Sequence, residues 1–255
     1  METADSLDAP RLLPLGDAAW TVEFGARIDP ALHGRVLGLL AAAERLREED
    51  TFAGIVDLVP TFRSLTVCYD PRRCDGERLG EALLSLARTA GAVRRDGRRW
   101  RLPVCFDDEF APDLEDLAQT KGLTREAVIE RLLATRFRVY MIGFMPGFPY
   151  MGGLPEALEM PRLKSPRKSV PARSLAVAGA MCAVYPWESP GGWRLLGRTP
   201  VPLFSARDEA APSLLSSGDQ VNWRAVGRDE FTQLEAAAQS GRLARGSLLA
   251  EGEPS

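Results

Sequence analysis

Residues 139–155 read VYMIGFMPGFPYMGGLP, with Gly143-Phe144-Met145-Pro146-Gly147-Phe148-Pro149-Tyr150 at the centre. Three aromatic side chains alternate there with Pro and Gly. Pro blocks helix interiors and central strands, so this stretch cannot continue a helix. From about Val139 the helical spacing of the upstream chain disappears. Residues 140–202 hold ten of the 19 Pro and eight of the 23 Gly. That composition predicts short strands and fixed loops, in a compact β-barrel or sandwich.

The chain before this segment has a different texture. Arg11–Leu15 and Ala19–Phe24 read as short strands split by Gly16-Asp17. Ala31–Glu48 repeats Leu32, Val36, Leu39, Leu40, Ala43 and Leu46 at helical spacing. Ile55–Val59 and Ser64–Tyr69 read as a strand pair, and Leu79–Ala90 as a second helix. This is a β-β-α-β-β-α module, an α+β layer with helices on one side of a sheet. Gly91–Arg99 is polar and rich in Arg and Gly, which marks a boundary. Leu102–Phe106 reads as a strand. Pro112 and Asp113 open a helix, and Thr124 caps another over Thr124–Leu133. Phe231–Gln239 predicts a last short helix. The expected division is a disordered tail at 1–9, an α+β domain at 10–91, a linker at 92–99, a barrel at 100–228, and a short helix with a flexible tail at 229–255.

The 255 residues carry a net charge of -3, with 45% hydrophobic and 26% charged residues, an ordinary soluble mixture. No apolar run approaches the roughly 20 residues that span a bilayer. METADSLDAP is acidic and has no apolar core, unlike a signal peptide. A cytoplasmic protein that binds neither membrane nor nucleic acid is expected. The single histidine excludes the usual zinc hydrolase sets, and no metal is expected. Cys68, Cys74, Cys105 and Cys182 form no CxxC pair and read as buried or idle thiols.

Charge is unevenly placed. Between Met160 and Arg207 stand Arg162, Lys164, Arg167, Lys168, Arg173, Arg194, Arg198 and Arg207 against one acid, Glu188. Such an excess draws in anions or an acidic partner. Asp107–Asp116 holds six acids and no base, and reads as a solvated loop entering a helix. His33, on the first helix, reads as a solvated surface residue. Glu188 is therefore the candidate catalytic base, or else a structural acid paired with Arg194 or Arg198. Phe144, Phe148 and Tyr150 suit the wall of a ligand pocket, or a hydrophobic plug under a loop. Ser189-Pro190-Gly191-Gly192-Trp193 would let backbone approach a ligand. No P-loop and no GxSxG elbow occurs.

Residues 139–155 resemble a signature of the 5-oxoprolinase B-subunit family, also called allophanate hydrolase subunit 1 or KipI family. Pro161-Arg162, Ser165-Pro166-Arg167, Val170-Pro171-Ala172, Tyr185-Pro186, 189–193 and Gly197-Arg198-Thr199-Pro200 continue the pattern in order. The resemblance implies an α+β N-terminal domain followed by a cyclophilin-like β-barrel C-terminal domain. It also implies a partner resembling the family's C-subunit (allophanate hydrolase subunit 2), possibly with an A-subunit protein. Such an assembly converts 5-oxo-L-proline to L-glutamate using ATP, so ATP is expected through the complex. At the family's motif positions, Arg162, Arg167 and Arg198 are assigned by residue type to anion contacts with a small carboxylate or amide substrate. Phe144, Phe148 and Tyr150 are assigned to the lining, and Gly191, Gly192 and Trp193 to its rim or to the partner contact. The chain also departs from the family pattern. Leu132 replaces a His, Arg173 a Gly, and Met181-Cys182-Ala183 a Gln-Thr-Gly run. Two other functions stay open: a divergent stand-alone enzyme using the barrel pocket on another small molecule, and a histidine-kinase inhibitor.

Overall fold

A computed structural model of the chain describes residues 9–49, 52–89, 97–209 and 211–250. The expected tail at 1–9 and linker at 92–99 lie largely outside these residues, as do 251–255. The chain divides into two units, Met1–Asp96 and Gly97–Ser255. No described helix is long and apolar enough to cross a membrane.

In the first unit, β1 (Arg11–Pro14), β2 (Ala19–Glu23), β3 (Ile55–Pro60) and β4 (Ser64–Tyr69) form an antiparallel sheet in the order β1-β2-β4-β3. Alternation along β4 turns Leu65, Val67 and Tyr69 to one face. There they share a core with Leu32, Val36, Leu39 and Leu40 of α1 (Pro30–Glu48) and Leu79 and Leu83 of α2 (Gly76–Thr89). Asp29 caps α1 by accepting from the Ala31 and Leu32 amides at 2.7 and 3.0 Å, with Pro30 at the first helical position. His33 corrects the sequence reading. It is fully buried, not solvated. The first turns of α1 are buried on nearly every side, from Leu32 through Leu40, so the one-stripe picture of an amphipathic helix fails there.

The second unit is a barrel. Its seven strands are β5 (Arg99–Val104), β6 (Phe137–Ile142), β7 (Pro149–Gly152), β9 (Ser174–Ala178), β10 (Met181–Val184), β12 (Arg194–Arg198) and β13 (Gln220–Ala225). The order is β12-β9-β10-β7-β6-β13-β5, antiparallel except between β13 and β5. A bridge between Cys105 and Arg198 joins the two ends, with N–H···O distances of 2.9 and 3.0 Å. This single bridge nearly closes the sheet. All seven strands contribute to one interior: Leu102, Phe137, Val139, Met151, Val177, Val184, Leu196 and Trp223 among others. Helices α3 (Leu114–Lys121) and α4 (Arg125–Ala134) pack against that interior through Leu114, Leu117, Val128 and Leu132. Thr124 caps α4 as expected, accepting from the Ala127 amide at 3.1 Å. Strands β8 (Arg167–Val170) and β11 (Ser189–Gly191) form a separate two-stranded ribbon.

The C-terminal segment is another correction. Helix α5 (Arg228–Gln239) is not followed by a loose tail over the described residues. Leu248 is buried in the barrel core, and the Ala250 amide donates to the Arg99 carbonyl at 2.8 Å. Trp100 and Leu249 form a bridge. A buried leucine and backbone pairing hold this segment against the first strand of the barrel.

Candidate functional site

Period-two alternation in the barrel strands sorts side chains into an interior set and an outer set. Along β10, Cys182 and Val184 face the interior, while Met181, Ala183 and then Tyr185 face out. Tyr150 of β7 pairs with Ala183 and shares that outer face. Phe148, Trp193, Leu195, Ala176 and Ala178 complete a second, smaller core there, and Val170 of the ribbon packs against it. Phe148 is its hub. Its ring centroid lies 4.9 Å from Tyr150, 5.2 Å from Tyr185, 6.0 Å from Trp193 and 5.5 Å from Phe144, mostly edge to face.

The loop 143–148 explains the alternating Gly and Pro. The Met145 amide donates to the Gly143 carbonyl at 2.8 Å, which makes Phe144 the centre of a γ-turn at φ 68°. That turn is strained for a residue with a side chain, and it leaves Phe144 67% exposed. Gly147 lies at φ 78°, and a Cβ there would meet Phe204 Cβ at 2.7 Å. Gly191 has a similar reason to be glycine: a Cβ would overlap the Tyr185 hydroxyl. Gly192 makes only ordinary contacts at 3.7 Å. Its N-terminal neighbour thus carries the steric constraint of the pair.

The arginines separate into different roles. Arg162 is exposed and lies over the Trp193 ring, 5.7 Å from its centroid. Its charge bears on Tyr150 and Tyr185. Burial pushes both phenols upward, and Arg162 opposes that shift in each. Arg167 is instead engaged. It donates to Asp113 Oδ1 at 2.6 Å and to the Trp193 carbonyl at 3.4 Å. Asp113 Oδ2 accepts from the Leu195 amide at 2.6 Å, so Arg167 and Asp113 tie the ribbon to β12. Arg194 pairs with Asp116. Arg198 lies elsewhere, donating to the Ala172 carbonyl at 2.9 Å. Glu188 is exposed and accepts from Ser169 Oγ at 2.7 Å across the ribbon. The alternative pairing of Glu188 with Arg194 or Arg198 does not occur.

The acidic stretch is not simply a solvated loop. Asp108 pairs with Arg125, Glu109 with Arg228, Asp113 with Arg167 and Asp116 with Arg194. Part of the basic segment's charge excess is therefore answered from within the same unit, including Glu235 on Arg173. The structure brings Phe144, Phe148, Tyr150, Trp193, Gly191 and Arg162 together, and leaves Arg198 and Glu188 outside that group. Sequence reasoning placed Met181 among the pocket positions but omitted Tyr185. The alternation Met181, Ala183, Tyr185 was the available signal. It also omitted Asp113, whose role depends on a partner 54 residues away in sequence.

The departures from the family pattern fall into distinct environments. Leu132 and Cys182 are interior core positions. Burial raises the Cys182 thiol far above its ordinary value. Met181 and Ala183 face the aromatic set. Arg173 adopts φ 68°, the conformation that favours glycine.

Residues 10–215 match the family described as carboxyltransferase domain, subdomain C and D. The chain is 37% identical over 229 residues to the 5-oxoprolinase B-subunit of Bacillus subtilis, covering 85% of this chain and 93% of that protein. Among solved structures it resembles TTHA0988, with 35% identity and a TM-score of 0.72 over 82% of this chain. It spans only 40% of that longer protein. The Kluyveromyces lactis urea carboxylase shares the fold, with a TM-score of 0.73 at 20% identity over 92% of this chain and 23% of that one. On its α+β unit, its seven-stranded cyclophilin-like barrel and these similarities, the chain belongs to the 5-oxoprolinase B-subunit family.

Proposed function

We propose that the chain is one component of an ATP-dependent amidohydrolase complex. With a partner of the C-subunit type, and possibly an A-subunit protein, it opens a small lactam or amide that carries a carboxylate. 5-Oxo-L-proline, hydrolysed to L-glutamate, is the substrate of choice. The observation that carries this reading is the outer aromatic face with Arg162 over Trp193. Phe148 and Trp193 are buried beneath this face, so a flat five-membered ring would lie against exposed Phe144 and half-buried Tyr150, and a guanidinium matches the carboxylate. Arg167 and Asp113 hold that face rigid without contacting substrate. The relatives are named as one subunit of a 5-oxoprolinase, which supports the need for partners. Nucleotide chemistry belongs to the assembled complex in this reading.

The test is reconstitution with the A-subunit and C-subunit proteins. ATP-dependent glutamate release from 5-oxo-L-proline is expected. Arg162→Met should raise KM by at least about tenfold while kcat changes little, as for loss of a binding contact. No glutamate release from a fully assembled complex overturns the reading. An unchanged KM in Arg162→Met removes Arg162 from the substrate.

One observation favours a second reading, a stand-alone site for a more apolar molecule. Met181 and Ala183 present no hydrogen-bond donor, and only a weakly accepting thioether, to the aromatic face. Recovery of the chain without a partner in a pull-down from native extract would shift weight to that reading.

A further inference from the structure

The barrel closes where Cys105 meets Arg198, and arginines gather at that closure. The Arg198 Nε–H donates to the Ala172 carbonyl at 2.9 Å, and the guanidinium lies over the Phe110 ring, 5.5 Å from its centroid. Arg228, the first residue of α5, lies over the same ring at 4.7 Å. Phe231 backs that ring with a centroid distance of 4.6 Å. Arg173 donates to the Pro200 carbonyl at 3.1 Å and pairs with Glu235. Burial and then the Arg173 charge lower the Arg198 pKa, and the Glu235 charge opposes them.

The three arginines are not equally satisfied. Arg173 has Glu235, and Arg228 has Glu109. Arg198 forms no ion pair within 4 Å among the described residues, and its two terminal amino groups donate no hydrogen bond there, although the Glu235 charge also acts on it. Arg198 is half-buried and Arg228 is exposed, so the cluster borders the surface. A guanidinium anchored through Nε and seated on an aromatic ring has already lost much of its rotamer freedom. The Arg173 charge adds repulsion on Arg198 that an anion would relieve.

We propose that this closure is a binding site for the phosphate group of a ligand. Arg198 takes two oxygens through its terminal amino groups, and Arg228 turns from Glu109 to a third. Phosphate fits better than carboxylate because two forked cations ask for more than two acceptor oxygens. The Arg228–Glu109 pair is about half exposed on both sides, and such surface pairs are weak enough to exchange. None of these residues lies on the aromatic face, so this site stands or falls separately from the proposed substrate site.

Calorimetric titration of inorganic phosphate and of ADP into the full chain at low ionic strength tests the proposal. Saturable binding is expected, weakened at least about tenfold in Arg198→Met and unchanged in Arg162→Met. Glu109→Gln should tighten binding, by about threefold, because it releases Arg228. Absence of saturable binding to the unaltered chain overturns the proposal. Wild-type affinity in Arg198→Met does the same. Displacement of phosphate by an equal concentration of glutamate would show a carboxylate site and overturn the assignment to phosphate. If circular dichroism shows Arg198→Met to be unfolded, Arg228→Met decides: weaker binding upholds the site, and unchanged binding rejects it.

Discussion

At the scale of single residues, Arg173 has opposing effects. Its φ of 68° is unfavourable for any residue with a Cβ, by roughly 1 kcal/mol. The backbone is nonetheless fixed on both sides, by the Arg173 amide on the Tyr185 carbonyl at 2.5 Å and the Thr199 amide on the Arg173 carbonyl at 3.0 Å. The side chain contributes its bonds to Pro200 and Glu235. Removing the side chain while keeping the Cβ discards the favourable part and retains the strain. Arg173→Ala is therefore expected to lose about 1–2 kcal/mol, and Arg173→Gly roughly 1 kcal/mol less than that. Urea denaturation of the two variants checks the order. Equal stability of both would mean that the backbone at 173 carries no strain. The substitution of Arg for Gly was legible in the sequence, and so was the risk to a positive φ. The carbonyl and carboxylate that offset it are contributed by residues 27 and 62 positions away, which no local reading connects.

At the scale of elements, the decisive contact is between the start of α3 and the ribbon. Asp113 is buried, accepts from Arg167 and the Leu195 amide, and donates its own amide to the Leu195 carbonyl at 3.1 Å. It precedes the first residue of α3 but makes no side-chain cap hydrogen bond; its carboxylate is spent on β12 and the ribbon. Breaking a buried pair leaves an uncompensated charge, so Asp113→Asn is expected to cost about 2–3 kcal/mol, discounted because Arg167 is partly exposed. Arg167→Met should cost a similar amount, and the double variant less than the sum by roughly 1 kcal/mol or more. A double-mutant cycle by chemical denaturation measures this coupling. Strict additivity would show that the pair does not act as a unit. Arg167 thus becomes a stabilising residue under the site, where the sequence alone suggested an anion contact. The elements themselves were well marked: β4 spans Ser64–Tyr69 as read, and the other strands and helices of the first unit differ by a few residues at their ends.

At the scale of the molecule, each unit has its own core, and the barrel depends on its last described residues. Leu248 fills the interior beside Trp100, and the backbone at 249–250 pairs with β5. Leu248→Ala is expected to destabilise the barrel unit by about 2–3 kcal/mol, in the range for a buried leucine. Thermal or urea unfolding reports it. A loss below about 0.5 kcal/mol would return this segment to the status of a loose tail. The sequence of 240–255 looked like a tail because it is rich in small and polar residues, and three leucines, Leu243, Leu248 and Leu249, without a regular period do not signal docking in the absence of the surface they meet.

Two kinds of information were therefore separable. Local spacing and punctuation determined the strands and helices of the first unit, the two helices before Phe137, and the change of texture to short strands and fixed loops near Val139. These depend on near neighbours in the chain, where steric rules and side-chain periodicity act directly. Only the tertiary structure decided that His33 is buried, that Asp113 and Asp116 neutralise Arg167 and Arg194, and that Arg162 and Arg198 serve different places. Charges and cavities are satisfied by whatever the closed barrel brings within a few ångströms, and that distance is set by strand order and register, not by sequence separation.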